Sequence, residues 1–262
     1  MSNPAVIVGG DAIAAGAAPM LRRLAAERRV GMLNTFAAKG LFAWNDPAHL
    51  GTIGLQADDL QLAGVAQREV LLVGVPDREL PRVWLDSVAA RWREISATEL
   101  GALLATNDEA TPRPPLYAAL ASVCGPLYDS VQLPLNPARA AADLAAWLPV
   151  GGVVRAGYDL AGFWLGRTFP TRELGSVQFD GAPGVAAATV EVVWGRPDGS
   201  THEVHGAVVE YWSPDGPAHP PQERLHRLQD AVAGGRRAAL WLGVDGSTVD
   251  AFVAVAGAVL WK

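Results

Sequence analysis

The run Ala5-Val6-Ile7-Val8-Gly9-Gly10, close to the start of the chain, decides its fold. Four consecutive apolar residues that end in two glycines are typical of a strand buried on both faces and followed by a tight turn. An amphipathic stretch with helical spacing comes next, over residues 16–29, and short apolar runs return at 30–35 and 70–73. Short buried strands that alternate with helices predict an α/β fold on a Rossmann-like parallel sheet, with a strand in each of these apolar runs.

A polar, proline-rich segment over residues 106–115 interrupts this pattern. Its prolines cannot continue a helix, so the segment predicts a domain boundary. We therefore expect a Rossmann-like domain over residues 1–108 and a second α/β domain over residues 116–262. A helix over residues 137–147, with Asn136 as its N-cap, is predicted to begin the regular structure of this second domain.

Two later parts of the chain have patterns of their own. The valine-rich flanks at 189–194 and 202–212 enclose turn-forming residues at 195–200, and this arrangement predicts a β-hairpin. Residues 221–233 place their apolar side chains on one helical face. The glycine pair that follows is expected to end this helix before a buried strand at 238–242.

Charge and composition exclude several kinds of partner. The 262 residues have a formal net charge of −6, and the arginines are spread along the chain, so nucleic acid is not expected. The longest apolar runs are far below the roughly 20 residues that cross a bilayer, so no membrane association is expected. Cys124 is the only cysteine, which precludes an intrachain disulfide and suits a cytoplasmic protein. Nine tryptophans and a charged content of 18% predict apolar surface buried in a homo-oligomer, most simply a dimer.

Several short motifs follow one another in the order found in one family. They are the opening run, Asn34-Thr35-Phe36-Ala37-Ala38-Lys39-Gly40-Leu41-Phe42, Asn45-Asp46-Pro47, Leu50-Gly51-Thr52-Ile53-Gly54 and Glu94-Ile95-Ser96-Ala97-Thr98-Glu99-Leu100. Over residues 4–105 the chain resembles the middle domain of thiamine-diphosphate-dependent enzymes of the acetolactate synthase and pyruvate oxidase type. The resemblance implies the DHS-like variant of the Rossmann-type fold.

In family members that carry a nucleotide, this domain holds FAD or ADP against its glycine turns. The resemblance therefore implies a cofactor site at Gly9, Gly10, Asn34, Thr35 and Gly54. These residues are expected at the carboxyl ends of the strands, where a parallel sheet forms its ligand crevice and where backbone N–H groups meet a phosphate. The alternative is that the glycine pair makes only a tight turn, since it lacks the full G-x-G-x-x-G pattern.

The second half is similar in outline to the family's diphosphate-binding domain. In that domain an Asp and an Asn at two strand ends hold the Mg²⁺ that binds thiamine diphosphate, and the resemblance puts Asp215 and Asp245 at these metal positions. Two departures weaken the match. Pro214 replaces a glycine and removes a backbone N–H, and Asp245 replaces the asparagine and adds a negative charge beside the diphosphate. The alternative is that both Asp-Gly pairs form ordinary turns.

The family's pyrimidine domain, whose glutamate triggers the cofactor's chemistry, precedes the middle domain, and only three residues precede Pro4 here. We therefore expect no thiamine-diphosphate reaction from the chain alone. Three functions remain open. In the first, the chain is a non-catalytic or accessory member of the superfamily that binds a nucleotide or CoA-type ligand. In the second, it is one subunit of a split 2-oxo acid decarboxylase or synthase, whose partner chain supplies the pyrimidine domain. In the third, it is an unrelated small-molecule enzyme on an α/β scaffold.

Overall fold

The computed structural model describes residues 4–66, 68–133, 135–179, 189–194, 207–212, 221–233, 239–243 and 248–260. These residues belong to two compact units. The first comprises the chain up to Ala121 together with Thr171–Leu174 and Val253–Leu260, and the second comprises Ser122–Pro170 and Gly175–Phe252. None of the helices in this described part of the chain is long and apolar enough to cross a membrane.

The first unit is built on a five-stranded parallel sheet. Its strands are β1 (Ala5–Val8), β2 (Met32–Thr35), β3 (His49–Ile53), β4 (Glu69–Val73) and β5 (Arg91–Ile95), in the spatial order β3-β2-β1-β4-β5. Its helices are α1 (Gly10–Ala14), α2 (Ala18–Arg28), α3 (Asp59–Leu62), α4 (Arg82–Val88), α5 (Ala97–Leu103) and the first part of α6 (Pro115–Tyr128). The Rossmann-like parallel sheet predicted from the sequence is confirmed.

Strand β1 lies at the centre of this sheet and is buried on both faces. Successive strand residues point to opposite faces, so Val6 and Val8 join the core cluster that contains Leu21 of α2. Ile7 joins the other cluster, which contains Leu60 of α3. A strand with an apolar core on each side needs an uninterrupted apolar run, which is the pattern that the sequence has here.

The first unit also includes a short segment from far along the chain, residues 256–260, which we call the clasp. Gln56 Nε2 donates a hydrogen bond to Gly257 O at 2.6 Å. The Ala57 N–H donates to Ala258 O at 3.1 Å. The first residue of the clasp is fully buried in the core cluster. The loop after β3 is therefore hydrogen-bonded to the backbone of a segment about two hundred residues away.

The second unit contains a second parallel sheet. Its strands are β6 (Val153–Ala156), β7 (Val177–Phe179), β8 (Thr189–Trp194), β9 (Ala207–Trp212) and β10 (Ala239–Gly243), in the spatial order β10-β9-β8-β6-β7. Its helices are α7 (Pro137–Trp147), α8 (Leu160–Thr168), α9 (Pro221–Ala233) and the first half of α10 (Val249–Ala256). The predicted helices at 137–147 and 221–233 are confirmed, and Asn136 caps the first of them by accepting the Ala138 N–H at 2.8 Å.

The β-hairpin predicted over residues 189–212 is wrong. Strands β8 and β9 are neighbours, but they run parallel, with Val190 opposite Ala207 and Trp194 opposite Tyr211. A tight two-strand hairpin is antiparallel, whereas parallel neighbours need a crossover connection. The turn-forming residues that suggested the hairpin lie in 195–206, outside the described residues.

A buried ion pair joins two helices of the second unit. Arg224 of α9, with only 2% of its surface exposed, donates to Asp143 Oδ2 of α7 from Nη2 at 2.8 Å and from Nε at 3.1 Å. Arg139 Nε donates to the other carboxylate oxygen at 2.8 Å. Both oxygens of the Asp143 carboxylate are therefore hydrogen-bonded to guanidinium groups, which offsets the cost of burying this charge.

Candidate functional site

The five residues predicted to form a nucleotide site lie at the carboxyl ends of neighbouring strands. Gly9 and Gly10 follow β1, Asn34 and Thr35 end β2, and Gly54 follows β3. These strands are adjacent in the sheet. The structure therefore brings all five residues to one edge, which we call the strand-end crevice.

Close backbone packing accounts for two of the glycines. The Gly9 N–H donates to Val73 O at 3.0 Å, and a Cβ atom on this residue would lie 2.4 Å from Gly74 O. Gly54 has a φ of +87°, and a Cβ atom there would lie 2.8 Å from the carbonyl oxygen of Glu79. Both positions need glycine because the protein's own backbone approaches them, with or without a ligand.

The carboxylate of Glu79 lies inside the crevice. Only 5% of this side chain is exposed. Its Oε2 atom accepts the Gly10 N–H at 2.9 Å and the Thr35 hydroxyl at 2.6 Å. Arg78 Nη2 lies 3.8 Å from the other carboxylate oxygen. Two of the five predicted residues are thus joined by an acidic side chain that no sequence motif had indicated.

This contact bears directly on how a phosphate would bind. A phosphate needs N–H and hydroxyl donors, and the donors of Gly10 and Thr35 already have an acceptor. The carboxylate also repels a second anion at short range. The present arrangement does not fit a phosphate on Gly10, since Glu79 would first have to move away. The cofactor site stays a prediction.

Asn34 is the most buried polar side chain of the crevice that lacks a complete set of partners. Its Nδ2 atom donates to Thr35 O at 2.8 Å and to Thr52 Oγ1 at 3.1 Å. Its Oδ1 atom is buried and has no hydrogen-bond partner within the described part of the chain. Because the residue is only 1% exposed, the oxygen is a desolvated acceptor at the end of β2.

A separate polar cluster lies at the beginning of β3. His49 is 8% exposed and makes an edge-on contact with the ring of Tyr117, with 6.1 Å between centroids. The guanidinium of Arg113 lies 4.0 Å from the centroid of the same tyrosine ring. Burial, followed by the charges of Lys39 and Arg113, lowers the pKa of His49 from 6.5 to about 3. The imidazole is therefore neutral at physiological pH.

The two predicted metal ligands, Asp215 and Asp245, lie outside the described residues, so their positions stay predictions. Across the residues that the structure does describe, no group of three or more His, Cys, Asp and Glu side chains is arranged to hold a metal ion. Cys124 is buried and forms no disulfide.

The first part of the chain is similar to a known protein family. Residues 1–76 match the family model of the thiamine pyrophosphate enzyme, central domain. This part of the chain is therefore similar to the central domain of thiamine pyrophosphate enzymes. The match covers the part of the chain that contains β1 to β4, and therefore the strand-end crevice. No curated protein sequence matches the chain.

Three solved structures have the same fold. A protein from Mycobacterium smegmatis assigned as a thiamin diphosphate-dependent enzyme is 14% identical, with a TM-score of 0.62. The benzoylformate decarboxylase of Polynucleobacter necessarius is 12% identical, with a TM-score of 0.61. The 4-hydroxybenzoylformate decarboxylase of Rhodococcus jostii RHA1 is 12% identical, with a TM-score of 0.58.

The matches extend over most of this chain but over only part of each solved structure. Each covers 93% of this chain, so the similarity includes both units. The chain spans 61% of the length of the Mycobacterium smegmatis protein and 62% of each of the two decarboxylases. At this level of identity the likeness is one of fold.

Proposed function

We propose that the chain is an accessory, non-catalytic member of the thiamine-diphosphate superfamily, in which the first unit is a structural scaffold. The observation that carries the proposal is the buried carboxylate of Glu79, which occupies the Gly10 N–H and the Thr35 hydroxyl. A scaffold domain gains stability when its own side chain satisfies the donors at the strand ends. A nucleotide-carrying domain needs those donors for its ligand.

The sequence of the second half supports the same proposal. Pro214 removes a backbone N–H close to the expected diphosphate, and Asp245 adds a negative charge beside it. Both changes weaken the binding of a diphosphate and its Mg²⁺.

In this proposal the protein acts in the cytoplasm as a homodimer. Light scattering should then return twice the chain mass of 27.5 kDa, and a monomer at micromolar concentration would contradict the dimer.

The scaffold role is tested by adding ADP, FAD or coenzyme A to the purified chain and measuring its melting temperature. A ligand at a thousand times its Kd stabilises a protein by about 4 kcal/mol, which a melting curve detects easily. We expect none of the three, at millimolar concentration, to give a stabilisation that depends on the strand-end crevice. The control variant is Thr35→Val, which removes one crevice donor with little change in size. A shift seen for the wild type and lost in this variant would contradict the proposal.

The absence of catalysis is tested with thiamine diphosphate, Mg²⁺ and either benzoylformate or pyruvate in excess. We expect no release of carbon dioxide above the rate without protein. Turnover that requires the cofactor and disappears in Asp215→Ala would overturn the accessory role.

A second candidate is one subunit of a split 2-oxo acid decarboxylase or synthase. The specific observation in its favour is the fold likeness, which extends over 93% of this chain and 62% of two benzoylformate-type decarboxylases. Under this candidate, another chain supplies a pyrimidine domain with its glutamate, and Asp215 and Asp245 hold the Mg²⁺ of thiamine diphosphate.

The two candidates differ in one experiment. The chain is mixed with a separately produced pyrimidine domain, and decarboxylation is measured for the wild type and for Asp215→Ala. Activity that arises only in the mixture and only with the wild type would establish the split enzyme. Inactivity of the mixture, with the cofactor present in excess, supports the accessory role.

A further inference from the structure

A cavity of about 580 Å³ lies in the first unit, away from the strand-end crevice. Its lining includes Ala25 and Ala26 of α2 and part of the loop that precedes β3. The apolar side chains of the lining include Val30, Leu41 and Phe42. The volume falls within the roughly 300–1,000 Å³ that is typical of small-molecule sites. We call it the arginine cavity, after the arginines that border it.

Three arginines, Arg22, Arg29 and Arg172, border this cavity. Within the described residues, none of the three forms an ion pair with a carboxylate. Arg22 instead donates from Nε to Leu41 O at 2.6 Å and from Nη2 to Gly40 O at 3.1 Å. These two bonds fix its guanidinium on the cavity wall and leave the positive charge without an anion.

The backbone at Arg29 adds a second observation. This residue ends α2 with a φ of +56° and is the only non-glycine residue with a positive φ in the described part of the chain. Glycine is the usual choice in this left-handed conformation, because a Cβ atom is unfavourable there. Arginine in its place puts a guanidinium at the border of the cavity, where it donates to Asp108 O.

The acidic side chains of the lining do not cancel these charges. Asp46 and Glu173 also border the cavity, so three positive groups face two negative ones. The Oδ1 atom of Asp46 already accepts the Ala48 N–H at 2.8 Å. The lining as a whole therefore combines a net positive charge with apolar side chains.

We infer that the arginine cavity binds an organic anion. The ligand is a carboxylate or a phosphate ester whose oxygens meet the guanidinium groups and whose apolar body rests on the alanine, leucine and phenylalanine side chains. Guanidinium groups match the geometry of both oxyanions, and the apolar side chains of the lining suit an apolar body. The arginine cavity is a different part of the first unit from the strand-end crevice, on which the proposed function rests.

The test uses three probes that share one ring system and differ in charge. They are 1-naphthoate, 1-naphthyl phosphate and the neutral 1-naphthalenemethanol, and their binding to the full chain is measured by isothermal titration calorimetry. We expect at least one of the two anions to bind at least tenfold more tightly than the neutral compound. The comparison of the two anions identifies which oxyanion the cavity prefers. Equal affinity of all three probes, or no binding of either anion, would overturn the inference.

Variants assign the binding to this cavity. Arg172→Gln removes an exposed charge that has no hydrogen-bond partner in the described structure, and should weaken the anions at least tenfold. Ala26→Leu fills the cavity from an exposed helix position and should weaken all probes. The matched control is Arg23→Gln on the same helix. Arg23 is 69% exposed, does not line the cavity, and lies 4.0 Å from Glu27, so its loss should leave binding unchanged. An equal loss in Arg23→Gln and Arg172→Gln would show a general charge effect and would overturn the assigned site.

Discussion

Replacing His49 by phenylalanine should make the free energy of unfolding less sensitive to acid. The wild-type imidazole is buried, and burial together with Lys39 and Arg113 lowers its pKa from 6.5 to about 3. The unfolded chain therefore binds a proton on this residue at a pH where the folded chain does not. The stabilising contribution of the neutral ring is complete above pH 6.5 and is lost as the pH falls from 6.5 towards 3.

The size of the effect follows from the two pKa values. Each pKa unit corresponds to about 1.4 kcal/mol, so the whole difference amounts to about 5 kcal/mol at pH 3. At about pH 5 the unfolded state has gained about 2 kcal/mol from protonation of this residue. Phenylalanine cannot be protonated and retains the aromatic contact with Tyr117, so the variant should lack this part of the acid sensitivity.

The assay is urea denaturation at about pH 7.5 and about pH 5, for the wild type and for His49→Phe. The change in unfolding free energy between the two pH values should be about 2 kcal/mol larger for the wild type. Each protein is its own reference, so any loss from imperfect packing of the new ring cancels. Tyr117→Phe is the control, because it removes the hydroxyl that donates to Trp44 O but leaves the histidine in place. The same pH dependence in wild type and His49→Phe would refute the reasoning.

Substitutions at three further positions have defined outcomes by urea or thermal denaturation. Gly74→Ala should destabilise the first unit by about 3 kcal/mol or more. The residue has a φ of +56°, and its new Cβ atom would lie 2.2 Å from the Ala12 N atom. Near-native stability of this variant would contradict the close packing. Asp143→Ala should destabilise the second unit by about 3–5 kcal/mol, since it leaves Arg224 buried without its carboxylate, and a loss below about 1 kcal/mol would show that the pair is solvated. Ser96→Ala should cost about 1 kcal/mol by removing the capping box of α5, and Ser96→Asp should recover most of it.

Elements with a strong local signal could be predicted from the sequence. The run at 70–73 is apolar throughout because β4 is buried on both faces, and such a run has few other structural explanations. Helix α7 begins after Asn136, whose side chain accepts a backbone N–H of the first turn. The next residue is a proline, which has no backbone N–H that would need a partner. These signals depend only on near neighbours in the chain.

The relative direction of β8 and β9 could not be predicted in the same way. Turn-forming residues at 195–200 are consistent with the tight turn of a hairpin, and equally with the first residues of a longer crossover. The direction depends on the path of the whole connection and on which sheet edge is free. Neither property is encoded in the flanking residues themselves.

Glu79 was missed for a related reason. Its two partners, Gly10 and Thr35, are 69 and 44 residues away, and the loop that carries it has no motif. The glycine pair and the polar residues at the end of β2 were recognised because the family resemblance includes them. A side chain that fills the crevice from an unrelated loop has no such signal, and only the folded geometry identifies it.

The clasp reaches its partner late during synthesis. Gln56 and Gly257 are separated by 201 residues, so at about 5–20 residues per second the loop after β3 waits roughly 10–40 s for the segment that hydrogen-bonds to it. During this interval the nascent first unit exposes the core position that Ala256 fills and the backbone groups that the clasp covers. Chains that stop before residue 256 never close this gap, so truncated products should be recognised by proteases and chaperones even when every strand of the first sheet has been made.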